Sequence, residues 1–258
     1  MTITSKDNPI IKHTHALLGH HRTRKKSRQT VIEGVHLVEA YLKQMPAVHR
    51  LIVSESATVH DEVLPLLSQI DPKQITIISD TLYQQIRTLG ESISVMAVID
   101  IPHQSLPTIS DDCLILDGLQ DLGNIGTLLR TASAVGIQTV ITSPNTAHLW
   151  SPKCLRAGMG AHFSMSIYEH IAVDEILQKL KTPLYATSSH TNKVIYDHDL
   201  TGPIAWVLGH EGQGVRDEFL NNAIPIALPQ PGGQESLNVG IAGSVCFYEM
   251  LRQRHYLV

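Results

Sequence analysis

Leu116-Asp117-Gly118-Leu119-Gln120-Asp121-Leu122-Gly123-Asn124-Ile125-Gly126-Thr127-Leu128-Leu129-Arg130 reads as the end of a buried strand, a glycine-containing loop and the opening turns of a helix. The strand begins in the short apolar run Leu114-Ile115-Leu116, and helical spacing of apolar residues continues to Val135. Further along, extended runs at 139–141, 184–186, 206–208 and 224–228 are separated by helical patterns, including one at 173–180 and a long apolar one that follows Ser236 and ends near Arg252. Strands joined through helices pair in parallel by crossover connections, so this half of the chain is α/β with a parallel sheet.

Working back toward the N-terminus, residues 34–44 carry Val35, Val38, Tyr41 and Leu42 at helical spacing, and 51–53 form a buried strand. Residues 61–70 are helical, 75–78 extended, 80–89 helical with Ser79 or Asp80 as N-cap, and 95–99 extended again. These make a small α/β unit of about a hundred residues, within the ordinary domain range. Residues 101–110 hold two prolines and no periodicity, which reads as a linker. The expected division is therefore 1–100, a linker at 101–110, and 111–258.

The 258 residues are 43% hydrophobic and 17% charged, enough apolar material for one large core or two modest ones. No apolar stretch approaches the roughly 20 residues needed to span a bilayer, and the N-terminus lacks a secretion signal, which points to the cytoplasm. Cys113, Cys154 and Cys246 are widely spaced, arguing against a disulfide framework or a thiolate zinc site and for core thiols. His13, His15, His20 and His21 lie close together without an interleaved carboxylate or thiolate at ligand spacing, so no metal site is read there. Net charge is −4, but Arg22, Arg24, Lys25, Lys26 and Arg28 put five positive charges into seven residues. Such a run is either a solvated face or a contact for RNA phosphates, where each cation releases condensed counterions.

Two more glycine-rich segments follow strand ends, where open α/β sheets bind ligands. One is Val207-Leu208-Gly209-His210-Glu211-Gly212-Gln213-Gly214-Val215; the other is Leu228-Pro229-Gln230-Pro231-Gly232-Gly233-Gln234-Glu235-Ser236-Leu237-Asn238-Val239-Gly240. A dinucleotide fingerprint is disfavoured, because Asp121 occupies the first glycine position and Ser143-Pro144 stands where an acidic ribose ligand belongs. An oxidoreductase is disfavoured with it. Asn124 and Arg130, six residues apart on one helix, are candidates to address one neighbouring region, and Ser236 is a candidate N-cap for the last helix.

In this order the three segments resemble the motifs of the SpoU/TrmH branch of the SPOUT methyltransferases. Ser151-Pro152-Lys153 with Arg156-Ala157-Gly158-Met159-Gly160-Ala161 is similar to that family's middle segment, and residues 5–12, 24–26 and 32–34 to its RNA-binding extension. The resemblance implies a C-terminal domain with a deep trefoil knot, preceded by a small α/β domain like ribosomal protein L30e. It implies S-adenosylmethionine held by Leu208, Gly209, Glu211, Gly214, Leu228, Pro229, Ser236 and Leu237. It implies chemistry at Arg130, Asn124, Glu211, Ser236 and Asn238, with Arg130 at the ribose 2′-hydroxyl. The partners implied are a second copy of the chain and RNA, with ribosomal RNA ahead of transfer RNA. A catalytically silent RNA-binding or ribosome-assembly protein is the other reading, opposed by the presence of Arg130, Asn124, Ser236 and Asn238. Three positions depart from the family pattern: Leu122 for a common proline, His210 for an amide, and Gly240 for a small hydroxyl residue, the last expected to loosen the start of the final helix.

Overall fold

A computed structural model describes residues 2–45, 47–90, 92–188, 191–233 and 236–255. Gln234 and Glu235 of the third glycine-rich segment lie outside the described residues. In chain order the first elements are α1 (Pro9–Gly19), α2 (His21–Ser27), β1 (Gln29–Glu33), α3 (Val35–Gln44), β2 (Arg50–Ser54), α4 (Leu64–Gln69), β3 (Ile75–Ile78), α5 (Asp80–Ile86) and β4 (Val95–Asp100). Then follow β5 (Cys113–Asp117), α6 (Leu122–Ala134), β6 (Thr139–Thr142), α7 (Pro152–Ala157), β7 (Ser166–Tyr168), α8 (Val173–Lys179), β8 (Leu184–Thr187), β9 (Ala205–Gly209), α9 (Asp217–Leu220), β10 (Ile224–Ile226) and α10 (Val239–His255).

Packing divides the chain into two compact units, residues 1–102 with 150–163, and residues 103–149 with 164–258. The first is built on a four-stranded sheet of order β1-β4-β2-β3, in which β4 runs antiparallel to both its neighbours and β2 parallel to β3. Ser79 caps α5, its side chain accepting from Leu82 N. Strand β1 has no counterpart among the strands expected from sequence. Its Thr30-Val31-Ile32 core is too short to show period two, and its pairing partner β4 lies some seventy residues away.

Within this unit the segment 150–163 contributes α7, which packs on β1. Thr30 Oγ1 donates to Trp150 O at 2.7 Å, and Arg156 pairs with the buried carboxylate of Glu33 at 3.2 Å. Glu33 also accepts from Thr88 N at 2.9 Å and from the Thr88 hydroxyl. A buried carboxylate is costly unless paired and hydrogen-bonded, and here it is both.

The basic run forms α2. Arg22, Lys25 and Lys26, spaced three and four apart, share its exposed face, and exposed Arg28 follows in the left-handed conformation (φ 52°). Arg24 points the other way. Its side chain is buried and donates to Leu17 O at 2.6 Å and Leu18 O at 3.4 Å, satisfying carbonyls at the C-terminal end of α1. The expectation that Arg24 contacts RNA is thus corrected by its burial. Arg24→Ala is expected to lower the melting temperature, since two carbonyls and a buried stem lose their partner, whereas Lys25→Ala leaves it within experimental error. Thermal unfolding of the two variants checks this.

The second unit is a six-stranded sheet of order β10-β8-β9-β5-β6-β7, parallel throughout, as the alternation of strands and helices requires. Its central strands β5 and β9 are fully buried, and apolar except for Asp117 at the end of β5. Pro225 sits in β10, an edge strand, where its missing N–H costs no ladder bond. Part of the stretch read as a linker belongs to this core: Leu106 and Ile109 are buried, and Ile109 exchanges backbone hydrogen bonds with Lys179 and Lys181. Two isolated apolar residues among prolines give no period, so only tertiary packing reveals them. Cys113, Cys154 and Cys246 are buried and unbridged, and burial pushes the Cys113 and Cys246 thiols up to about 12. Among the described residues no helix is long and apolar enough to cross a membrane.

Candidate active site

The carboxyl ends of the parallel strands carry the glycine-rich loops. Strand β5 ends in Asp117, which is buried, receives Arg216 Nε at 2.7 Å and Arg216 N at 2.9 Å, and accepts from Ser143 Oγ at 2.6 Å. Gly118 follows at φ 72°, donating its N–H to Thr146 Oγ1 at 3.0 Å. Asp121 then caps α6 by accepting from Asn124 N at 2.7 Å, which opens the helix without a proline at Leu122. Asp117, Arg216, Ser143 and Thr146 escaped the sequence reading; the one signal available was a carboxylate closing an otherwise apolar strand.

After β9 the backbone turns back on itself so closely that a Cβ on Gly209 would lie 2.2 Å from Gly214 C and Val215 N. The turn is held by Gly214 N donating to His210 O at 2.8 Å, and by Gly212 N donating to His210 Nδ1 at 2.9 Å. His210, where the family favours an amide, serves here as an acceptor for its own loop.

From this loop Glu211 reaches α6. Its carboxylate accepts from Gln120 N at 3.4 Å, from Asp121 N at 3.2 Å and from Asn124 Nδ2 at 3.4 Å. Asn124 Oδ1 in turn accepts from Asn238 Nδ2 at 2.9 Å. Asn238 is also the cap of α10, its Oδ1 accepting from Gly240 N at 2.9 Å and Ile241 N at 3.2 Å. The cap role assigned in sequence to Ser236 therefore falls to Asn238. Gly240 is buried, and a Cβ there would meet Asn238 Oδ1 at 3.1 Å, so a larger residue would crowd the cap.

Desolvation raises the Glu211 carboxyl, but the N–H groups of Glu211, Asp121 and Gln120 and the Asn124 amide outweigh it, and the net direction is downward. A group whose folded pKa is depressed contributes stability that is present above its unfolded value and is lost as pH falls through the folded one. Activity that depends on ionised Glu211 is accordingly expected to persist below the ordinary glutamate range. A pH profile of wild type against Glu211→Gln, in which the variant lacks the acid limb, checks this.

The segments after β8, β9 and β10 enclose a cleft of about 530 Å³ lined by, among others, Gly209, Glu211, Gly214, Leu228, Gln230, Ser236, Leu237, Asn238 and Ala242. Of the cofactor residues expected from sequence, Leu208 and Pro229 do not line it, and Leu208 is fully buried in the core. Arg130 stands apart from the hydrogen-bonded chain. It is exposed on α6 and makes no hydrogen bond or ion pair among the described residues. Six residues separate it from Asn124, about 9 Å along the axis and about a third of a turn around it, so the helix does not aim the two at one point.

A family model described as the SpoU rRNA Methylase family matches residues 112–248, and one described as an MRM3-like substrate binding domain matches residues 8–97. The chain belongs to the SpoU rRNA methylase family. It is an S-adenosylmethionine-dependent methyltransferase. Among its relatives are 23S rRNA (guanosine(2553)-2′-O)-methyltransferase RlmP of Bacillus subtilis, 28% identical over 89% of this chain and 91% of that one, and 23S rRNA (guanosine-2′-O-)-methyltransferase RlmB of Shewanella oneidensis, 26% identical over 88% and 98%. The SpoU methyltransferase AviRb of Streptomyces viridochromogenes, crystallised with AdoMet, shares the fold, with a TM-score of 0.86 at 23% identity over 95% of this chain and 98% of that one.

The cleft suits the methyl donor this SpoU family uses. Its volume lies in the range of small-molecule sites, its walls mix aliphatic side chains such as Val215, Leu228 and Leu237 with polar ones such as Glu211, Ser236 and Asn238, and Gln230 Oε1 is buried in it with no partner among the described residues. That oxygen can accept from an amino group of a bound ligand.

Proposed function

We propose that this SpoU-family protein methylates a ribose 2′-hydroxyl of large-subunit ribosomal RNA, with transfer RNA as the alternative substrate. The observation that carries the reading is the hydrogen-bonded chain Asn238–Asn124–Glu211, whose two ends line the cleft while Asn124 joins them to α6, with uncommitted Arg130 on that same helix. Bound S-adenosylmethionine supplies an already electrophilic methyl group. The protein's share is to hold a ribose oxygen in line and to favour loss of its proton, and orientation of this kind is worth up to about 7–11 kcal/mol in well-aligned systems. Arg130 carries the second task. A guanidinium with a pKa above about 12 is a poor base but a strong partner for an alkoxide and a neighbouring phosphate. Asn124, clamped between Glu211 and Asn238, positions the ribose; Ser236, at the cleft, shapes its mouth. Gly209, Glu211, Gly214, Leu228, Ser236 and Leu237 hold the methyl donor.

The same reading assigns residues 1–100 to RNA binding as an L30e-like domain and 111–258 to a trefoil-knotted SPOUT domain, working in the cytoplasm as a homodimer. Ile241, Val245 and Tyr248, at helical spacing on α10, are 53%, 37% and 54% exposed, an apolar stripe suited to a second copy of the helix. The exposed cations Arg22, Lys25, Lys26 and Arg28 suit phosphate binding. Neutralising these four is expected to weaken RNA binding and to flatten its log–log salt dependence by up to about 0.7–0.9 for each phosphate that no longer meets a cation; identical slopes in both proteins would return α2 to a merely solvated face.

The deciding experiment incubates the protein and labelled S-adenosylmethionine with ribosomal RNA, large-subunit particles and transfer RNA, then maps ribose methylation. Label in a ribose of large-subunit RNA supports the proposal. Label in a base, or in no RNA while S-adenosylmethionine binds, overturns it.

A further inference from the structure

We propose that His148, Glu169 and His170 form a binding site for one divalent transition-metal ion of the zinc class. The three sit beyond the carboxyl ends of β6 and β7, His148 in the loop after β6 and Glu169 and His170 directly after β7. His170 Nε2 and His148 Nδ1 approach to 3.0 Å, His148 Nδ1 lies 4.0 Å from Glu169 Oε1, and the three ligand atoms all fall within 4.8 Å of one another. Zinc bonds imidazole nitrogen at about 2.0–2.1 Å and carboxylate oxygen at about 2.0–2.2 Å. In tetrahedral geometry that places ligand atoms about 3.3 Å apart, so a small turn of the carboxylate completes three corners.

The chemistry favours a cation at this point. A hydrogen bond between the two ring nitrogens at 3.0 Å needs a proton on one of them, whereas one metal ion takes a lone pair from each and from the carboxylate together. Two imidazoles with one carboxylate match zinc rather than calcium or magnesium, which take all-oxygen sets. The two loop segments are tied locally: Leu149 N donates to Glu169 Oε1 at 2.7 Å, and His170 N donates to Thr142 Oγ1 at 2.8 Å. His170 also holds φ 58°, a left-handed conformation uncommon outside glycine.

Three protein ligands leave the fourth position to water. None of the three lines the methyl-donor cleft, so the ion acts as a clamp. It ties the loop after β6 to the end of β7, and that loop carries Asn145, whose carbonyl accepts from the Gln120 side chain beside Glu211. The site is independent of the proposed RNA substrate.

The test uses the untagged full-length protein, stripped with a chelator, and titrates zinc by calorimetry and cobalt by visible absorption. The comparison variants are His148→Ala and His170→Asn, the latter because asparagine tolerates the left-handed backbone. Expected are one equivalent of zinc, the strong visible bands of four-coordinate cobalt, and a zinc-dependent rise in melting temperature, all lost in both variants and retained in His13→Ala. Absence of binding in the wild type overturns the proposal, and so does binding in the variants that matches the wild type.

Discussion

Replacing Arg130 by alanine is expected to lower methyl transfer by at least about 100-fold, the scale on which removal of one donor to a developing oxyanion acts, while S-adenosylmethionine affinity and melting temperature stay unchanged. Stability should hold because the side chain is exposed and bonded to nothing among the described residues. Affinity should hold because Arg130 is absent from the cleft lining. Single-turnover methylation alongside calorimetry separates the two. Wild-type turnover in the variant would remove Arg130 from the mechanism, and Arg130→Lys distinguishes charge from fork geometry, since an ammonium keeps the charge and loses the paired donors.

Gly209→Ala is expected to act in the opposite sense, abolishing cofactor binding before chemistry is reached. The new Cβ would fall 2.2 Å from the backbone of Gly214 and Val215, and backbone cannot move aside as a side-chain tip can. Relief requires unfolding the turn that presents Glu211 and Gly214 to the cleft. Overpacking of this kind costs about 1–3 kcal/mol or more, with loss of S-adenosylmethionine binding beyond detection by calorimetry. Gly214→Ala offers the contrast: nothing lies within 4 Å of its Cβ, and the penalty comes only from φ 72°, about 1 kcal/mol. Equal binding by Gly209→Ala and wild type would show that the loop is not shaped by this close approach.

Much of the second unit was legible because its signals are local. Apolar runs 114–116 and 206–208 are central strands, and glycines after them mark turns whose geometry excludes side chains. Asn124, Glu211 and Asn238 were each visible as a polar residue in such a turn, but that they form one hydrogen-bonded chain is a fact of three dimensions. Arg24 shows the limit most clearly. Sequence counts it among five cations, and only burial distinguishes it from Lys25 beside it. Strand β7 was missed for a related reason: three residues at a sheet edge, Ser166-Ile167-Tyr168, carry too short a pattern to register. The grouping of 150–163 with residues 1–102 rests on Thr30–Trp150 and Glu33–Arg156, separations of 120 and 123 residues that no window along the chain could span.

Asn238 does two things with one side chain, starting α10 through its oxygen and gripping Asn124 through its nitrogen. The last helix therefore cannot begin in register without also setting the residue at the head of α6, and a chain interrupted before residue 238 would lack both. For a protein made from its N-terminus onward, competence arrives all at once: the cleft lacks its Asn238 wall until the seventeen-residue α10 has emerged and docked.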